Sequence, residues 1–309
     1  MIKQNKYIYK RLKDEYLVDV QTLFLKVFNK KVSLNYLKNK YDTSYIGVKY
    51  ICTIAFDKNK PIAFYGAIPQ LFKSNNTNLL VAHACDSFTL KEYQKQGLHY
   101  NLALKAYKIM KENNIKFVYA FHSTNTYYST KKLKWQEFLN FQRFHIKINT
   151  VPIARITNKL NLNTSFYNFT KVFLKKYTIL NFTPFKKEST YSQLYNSSFY
   201  NYKNNFNNHF LIKIHNCIFY LKINANMEIG FSDISCFTDF KKAIEKLKRI
   251  AFVIGVNEIL FQVVSNSKTS KYLTKITYSK ESWLIGHLPF DDTIDINNFN
   301  FNLADLDTF

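Results

Sequence analysis

The chain has 309 residues, more than a single hydrophobic core usually organises, so two domains of about 150 residues each are expected. Hydrophobic residues make up 47% and charged residues 21%, which excludes an intrinsically disordered chain. The formal net charge of +23 lies in short pairs such as Lys30-Lys31, Lys131-Lys132 and Lys241-Lys242, not in a tail; it does not by itself call for nucleic acid, and it favours an anionic small ligand.

Leu17, Val20, Leu23, Phe24 and Phe28 recur at helical spacing, so residues 14–28 form an amphipathic helix, with a shorter helix over Leu34–Lys40. Tyr50–Phe56 reads as a strand, Asp57–Pro61 as a turn, Ile62–Leu71 as its hairpin partner and Asn78–Thr89 as a further strand. Helical periodicity returns from Gly97 to Asn113, with Leu98, Leu102, Ala106, Ile109 and Met110 on one face. Ile115–Phe121 is a short apolar strand of the kind buried on both faces, followed by a brief helix over Thr124–Leu133 and a strand over Glu137–Ile148. Asn149–Asn205 reads as a connector with a helix near Phe166–Tyr177. Beyond it, Phe210–Ile223 and Glu228–Ser235 read as strands, Thr238–Phe252 as a helix and Asn257–Val264 as a strand. This order predicts an α+β fold, helices layered on a mixed, mostly antiparallel sheet, divided into 1–150, a connector 151–205 and 206–309.

An internal echo supports two halves. The runs from Ile115 (IKFVYAFHSTNTYYSTKKLKW) and from Ile259 (ILFQVVSNSKTSKYLTKITYS) share one order: apolar strand, polar turn, short Lys-bearing helix, next strand. The helix ahead of the second copy is entered through Ser235-Cys236-Phe237-Thr238, with no glycine. Cys52, Cys85, Cys217 and Cys236 are far apart and form no CxxC, so thiols of a reducing compartment are expected, with no metal site. Met1–Lys13 has no apolar leader segment and nothing reaches the roughly 18 apolar residues of a spanning helix. The expectation is a soluble, cytoplasmic protein without a membrane partner, and compatible with a homodimer.

The chemistry concentrates at LKEYQKQGLHYNLALKAY, residues 90–107, where a strand ends, a polar turn with one glycine follows and a long helix begins. Such a turn aims backbone N–H groups and the helix dipole at an anion, Gly97 allows close approach, and Lys91 and Lys95 add charge. Here the sequence resembles the GNAT acetyltransferase superfamily, whose acetyl-CoA motif is Gln/Arg-x-x-Gly-x-Gly/Ala. Gln94, Gly97 and His99 stand at those positions, with His99 departing from the pattern. Asp86, Thr89, Tyr93, Gln94 and Gly97 match a longer bacterial pattern. Phe121, Asn125, Leu133 and Trp135 match its continuation, where Lys134 replaces a glycine. The tail Asp305–Phe309 is similar to that of two-domain relatives, some of which modify sugars of surface polysaccharides.

This resemblance implies a GNAT fold in tandem with a degenerate copy. It implies acetyl-CoA as acyl donor, held by Phe88, Thr89, Gln94, Lys95, Gln96, Gly97, Leu98, His99 and Asn125. It also implies direct attack by an amine on the thioester, without a covalent enzyme intermediate. Asp86 is the first candidate for the general base, with His122 and His83 after it; on a regular strand His83 and Asp86 point to opposite faces, which a bulge would change. Tyr128, with Tyr127 beside it, is the candidate acid for the leaving thiolate. The expected activity is N-acetylation of a small primary amine, an amino sugar being favoured. Two other readings stay open: a FemABX-like aminoacyltransferase using aminoacyl-tRNA, and a binding module that keeps the fold without catalysis.

Overall fold

The computed structural model describes residues 6–74, 77–122, 130–180, 182, 191–204 and 208–309. They form two compact units, neither continuous in sequence: Met1–Phe138 with Gly286–Asn297, and Leu139–Ile285 with Asn298–Phe309.

The first unit contains β1 (Ile8–Arg11), α1 (Leu17–Phe28), α2 (Leu34–Tyr41), β2 (Thr53–Asp57), β3 (Lys60–Ser74), β4 (Thr77–Thr89), α3 (Leu98–Glu112) and β5 (Phe117–His122). β1 to β4 pair antiparallel in chain order, and β5 joins β4 in parallel. β1 was not foreseen, because Ile8-Tyr9 runs straight into Lys10-Arg11 within the polar N-terminus and shows no strand alternation. Pro61 lies in β3, opposite Phe56, where the β2–β3 register shifts and the missing N–H is tolerated. Neighbouring residues of β3 show which helices cover which face. Phe64 meets the ring of Tyr41 from α2, while Tyr65 meets His99 and Tyr107 from α3. Hence α1 and α2 cover one face, α3 the other.

The strand after the Thr124–Leu133 segment, β6 (Gln136–Lys147), passes into the second unit after Phe138. In return, the late segment 286–297 belongs to the first unit, where the Phe290 N–H donates to the Lys116 carbonyl and Lys116 pairs with Asp291 at 2.9 Å.

The second unit adds α4 (Ile153–Lys159), α5 (Asn163–Leu174), β7 (Tyr191–Gln193), α6 (Ser197–Asn204), β8 (His209–Ile214), β9 (Cys217–Ile223), β10 (Met227–Ile234), α7 (Phe237–Val253), β11 (Glu258–Val264), α8 (Lys268–Leu273), β12 (Ser279–Pro289) and β13 (Phe299–Asn300). Residues 210–223, read as one strand, are the hairpin β8–β9, turned at His215 in the left-handed region (φ 50°) with Asn216. The sheet repeats the first unit's order: antiparallel β8–β9–β10, helix α7, then β11 parallel to β10, with β6 antiparallel to β11. Each unit is thus a mixed, mostly antiparallel sheet flanked by helices.

One face of the second sheet is covered by α4, α5 and α7, and the other by Tyr195, Phe199, Leu303 and Phe309. A Cβ at Gly230 would meet the Phe309 ring at 2.2 Å, so only glycine lets the ring seat there. The tail is anchored by the fully buried Asp305, which accepts from the Tyr195 hydroxyl (2.6 Å) and the Asn302 N–H (2.7 Å). The Lys203 ammonium donates to the carbonyls of Leu306 and Phe309.

Burial pushes the Asp305 carboxyl up from 3.8 to about 7, against those two hydrogen bonds and the field of Lys203. The folded chain therefore keeps a proton that the unfolded chain loses, so this group's contribution to stability is lost as pH rises through about 7. Its contribution to the thermal midpoint should therefore decline between about pH 4 and 7, and Asp305→Asn should remove that component of the pH dependence.

Candidate functional site

β4 and β5 pair only at Ala82↔Val118 and His83↔Tyr119, although β4 runs on to Thr89 and β5 to His122. Beyond His83 the two strands part. The backbone groups of β4 that face β5 there have no strand partner among the described residues.

The same stretch of β4 carries a bulge. Tyr65 pairs with Ser87 but Ala67 with Ala84, so Gly66 alone opposes Cys85 and Asp86. A Cβ on Gly66 would lie 3.1 Å from the Asp86 carbonyl oxygen and 3.3 Å from its Cβ, so the bulge and the glycine belong together. Counting through it from Phe64↔Phe88 to Ile68↔His83 brings His83 and Asp86 onto one face, the side of α1 and α2. There the Asp86 carboxylate meets the Lys40 ammonium at 2.6 Å and accepts from the Tyr41 hydroxyl at 2.5 Å. The Lys40 side chain is 2% exposed and that of Asp86 22%. Lys40 and Tyr41 were not among the sequence candidates. The signal was present, since Leu37, Lys40 and Tyr41 share the buried stripe of α2 and a buried lysine requires an anion. His83 is buried against the rings of Tyr119 and Phe121.

At the end of β4 the chain makes a 3₁₀ turn over Lys91–Tyr93, and Lys95 and Gly97 then take positive φ (61° and 76°) before α3 begins. The first bond of α3 runs from the Asn101 N–H to the Gly97 carbonyl, so the helix itself leaves the amides of Leu98, His99 and Tyr100 unused. A Cβ on Gly97 would meet no protein atom within 4 Å. Gln94, Lys95, Gln96 and Gly97 are exposed. The Gln96 side chain braces the turn, accepting from the Tyr7 hydroxyl and donating to the Glu92 carbonyl. Gln94 donates to the Thr89 carbonyl at 3.4 Å.

Other sequence candidates are placed differently. Phe88 packs against Phe24, Phe28 and Phe64 on the α1 side, and Leu98 is buried in the core, so each can offer a ligand only its backbone. The His99 ring lies edge-on to Tyr65, and burial lowers its pKa. Lys134, standing where the related pattern has glycine, takes φ 62°. Asn125, Tyr127 and Tyr128 lie outside the described residues.

His122 ends β5 on the α3 side, since it alternates with Phe121. Its ring packs against Trp135, whose indole N–H donates to the Tyr107 hydroxyl at 2.9 Å. Its Nε2 lies where a Cβ on residue 286 would be 2.2 Å away, so Gly286 makes room for it. That buried nitrogen has no hydrogen-bond partner among the described residues. The first unit thus brings together a strand that parts from its neighbour, an orphaned imidazole nitrogen and an open left-handed turn leading into a helix.

Residues 8–134 match the family model described as acetyltransferase (GNAT) domain. Over residues 8–134 the chain carries a GNAT acetyltransferase domain.

Solved structures with the same fold include a GCN5-related N-acetyltransferase from Kribbella flavida, at 8% identity and TM-score 0.60, covering 93% of this chain and 72% of that one. A GCN5-related N-acetyltransferase from Anabaena variabilis ATCC 29413 has 9% identity and TM-score 0.54, covering 90% and 72%. A protein from Pyrococcus horikoshii, provisionally named an acetyltransferase, has 14% identity and TM-score 0.55, covering 98% and 95%. At such identities the shared property is the fold. No curated protein matches the sequence.

Within the GNAT domain, burial pushes the His122 pKa down from 6.5 to about 4, so the ring is neutral near pH 7. A depressed histidine contributes stability above its unfolded value, and that contribution is lost as pH falls through about 4. Thermal midpoints should therefore drop between about pH 6.5 and 4, and His122→Phe should shallow the drop.

Proposed function

We propose that the chain is an N-acetyltransferase that moves an acetyl group from acetyl-CoA to a primary amine, with an amino sugar of surface polysaccharide synthesis as acceptor. The observation that carries this reading is the opening between β4 and β5 beside the Gly97 turn at the start of α3. The amides at the start of α3, with Lys95, would hold the pyrophosphate, and the unpaired β4 backbone would hold the thioester carbonyl and its developing oxyanion. Acetyl-CoA supplies an acyl group activated by its thiolate leaving group.

The acceptor nitrogen forms the new C–N bond as the C–S bond breaks, and a base takes the proton it sheds. Asp86 and His83 stand on one face of the bulge and His122 on the other, so they serve different sides of the opening. Tyr128 is proposed as the acid for the leaving sulfur.

One donor site per chain is proposed, and the start of α7 supports it. Cys236 Sγ accepts the Asp239 N–H there, and the Asp239 carboxylate accepts from Ser235 and Asn216, so a negative charge already fills that helix end. The second half is accordingly proposed to be a degenerate copy.

A non-catalytic module is the second reading, favoured by the commitment of Asp86 to Lys40 and Tyr41. Incubation with acetyl-CoA and a panel of amines, followed by free thiol release, is expected to show turnover with amino sugars above simple alkylamines. Binding without turnover on any amine would support the module. No coenzyme A binding by calorimetry would sink both, and co-purified tRNA would point to the aminoacyl donor instead.

A further inference from the structure

We propose that the outer helical layer of the second unit docks on an anionic lipid bilayer. α4, α5 and α7 each bury one face in the same core, where Ala154, Phe166 and Leu174 join Phe240, Leu247 and Ile250. Their remaining faces form one outer layer, and large apolar side chains stand uncovered on it. Ile156 on α4 and Leu160 at its C-terminal cap are 45% and 62% exposed, and Val172 on α5 is 76% exposed. The Thr150 hydroxyl donates to the Phe252 carbonyl, which sets the exposed Phe252 and Val253 at the end of α7 beside the exposed Val151.

The charge around these side chains is mostly positive, with Glu245 beside Lys248 and Glu258 beside Arg155. Residues 151–180 hold Arg155, Lys159, Lys171, Lys175 and Lys176 and no carboxylate. α7 adds Lys241, Lys242, Lys246, Lys248 and Arg249 against Asp239 and Glu245. Lys176 and Lys246 both stand over the Tyr177 ring, at 5.2 and 5.7 Å, which joins the two basic stretches.

Scattered exposed apolar residues are ordinary on any protein. Aliphatic tips set among cations are the pattern of a helix lying in a membrane interface, where the tips enter the acyl boundary and the lysines reach lipid phosphates. A nucleic acid would use the cations, but it would leave Ile156, Leu160 and Val172 in water, because bases stack on aromatic rings. A second copy of this face would set the same cations against one another. Among the described residues no helix is long and apolar enough to cross a membrane, so the contact is peripheral. The proposal stands apart from the acyl transfer, and its test does not use that reaction.

The test is co-sedimentation of the full chain with vesicles of phosphatidylcholine alone or with phosphatidylglycerol added. Binding is expected only to the phosphatidylglycerol vesicles and should weaken with salt. Leu160→Glu with Val172→Glu, and separately Lys246→Glu with Arg249→Glu, should each raise the lipid needed for half-binding about tenfold, with circular dichroism unchanged. No sedimentation with phosphatidylglycerol overturns the proposal, as does equal binding to both vesicle types. Vesicle binding that survives the Leu160/Val172 change, alongside tight oligonucleotide binding, would assign the layer to nucleic acid instead. A dimer dissolved by Leu160→Glu in the absence of lipid binding would assign it to self-association.

Discussion

Gly97→Ala should weaken coenzyme A binding about a hundredfold while lowering the stability of the free chain by only about 1–2 kcal/mol. The two effects separate because they have different origins. The stability loss is the strain of an L side chain at φ 76°, with no added clash, since a Cβ there meets no protein atom within 4 Å. The binding loss comes from that same open space, which in the proposed function receives the pyrophosphate at the amides of α3. Calorimetry with coenzyme A measures the second effect. Thermal unfolding with and without ligand measures both, because a ligand at a hundred times its Kd stabilises by about 2.7 kcal/mol and that increment should fall to about 0.4 kcal/mol in the variant. Wild-type affinity in Gly97→Ala would remove this turn from the cofactor site.

Asp86→Asn should lower stability by about 3 kcal/mol, near the lower end for breaking a buried ion pair because the carboxylate is partly exposed. It removes the carboxylate that the Lys40 ammonium, 2% exposed, meets at 2.6 Å. Lys40→Met in the same chain should restore most of that loss, because a neutral side chain of similar length needs no counter-charge. Turnover then separates the two roles open to Asp86. If its carboxylate accepts the proton of the acceptor amine, the double variant recovers stability and stays about a hundredfold or more below wild type in kcat. If Asp86 only holds the bulge and α2 together, activity returns along with stability.

Much of the first unit was legible because its signals are local. The apolar stripe of α1, the breaks at Asp57–Lys60 and Asn113-Asn114, and the apolar run of β5 each depend on residues within a turn or two of one another. The Gly97 turn belongs to the same class, since a glycine between a strand and a periodic helix already implies a left-handed entry. Element edges moved by one to three residues, as hydrogen bonding rather than side-chain pattern sets them.

The candidate site was less legible, because its geometry depends on which strands meet. No local pattern announces the extra residue that carries Asp86 to the side of His83. Gly66, twenty positions earlier, is the residue that accommodates it. Lys40 and Tyr41 reach Asp86 only after α2 has packed on the sheet, and Gly286 makes room for His122 from the far end of the chain.

By itself, then, the sequence determined most of the longer elements of the first unit, their order and the turn at Gln94–His99, because helical and strand periods and turns at glycine are properties of short segments. The tertiary structure decided that β6 serves the second unit and residues 286–297 the first, and that Asp86 is held by a buried lysine. It also packed the buried faces of α4, α5 and α7 into one core. Those outcomes rest on hydrogen-bond partners and on burial shared by segments far apart in the chain, which side-chain periodicity does not encode.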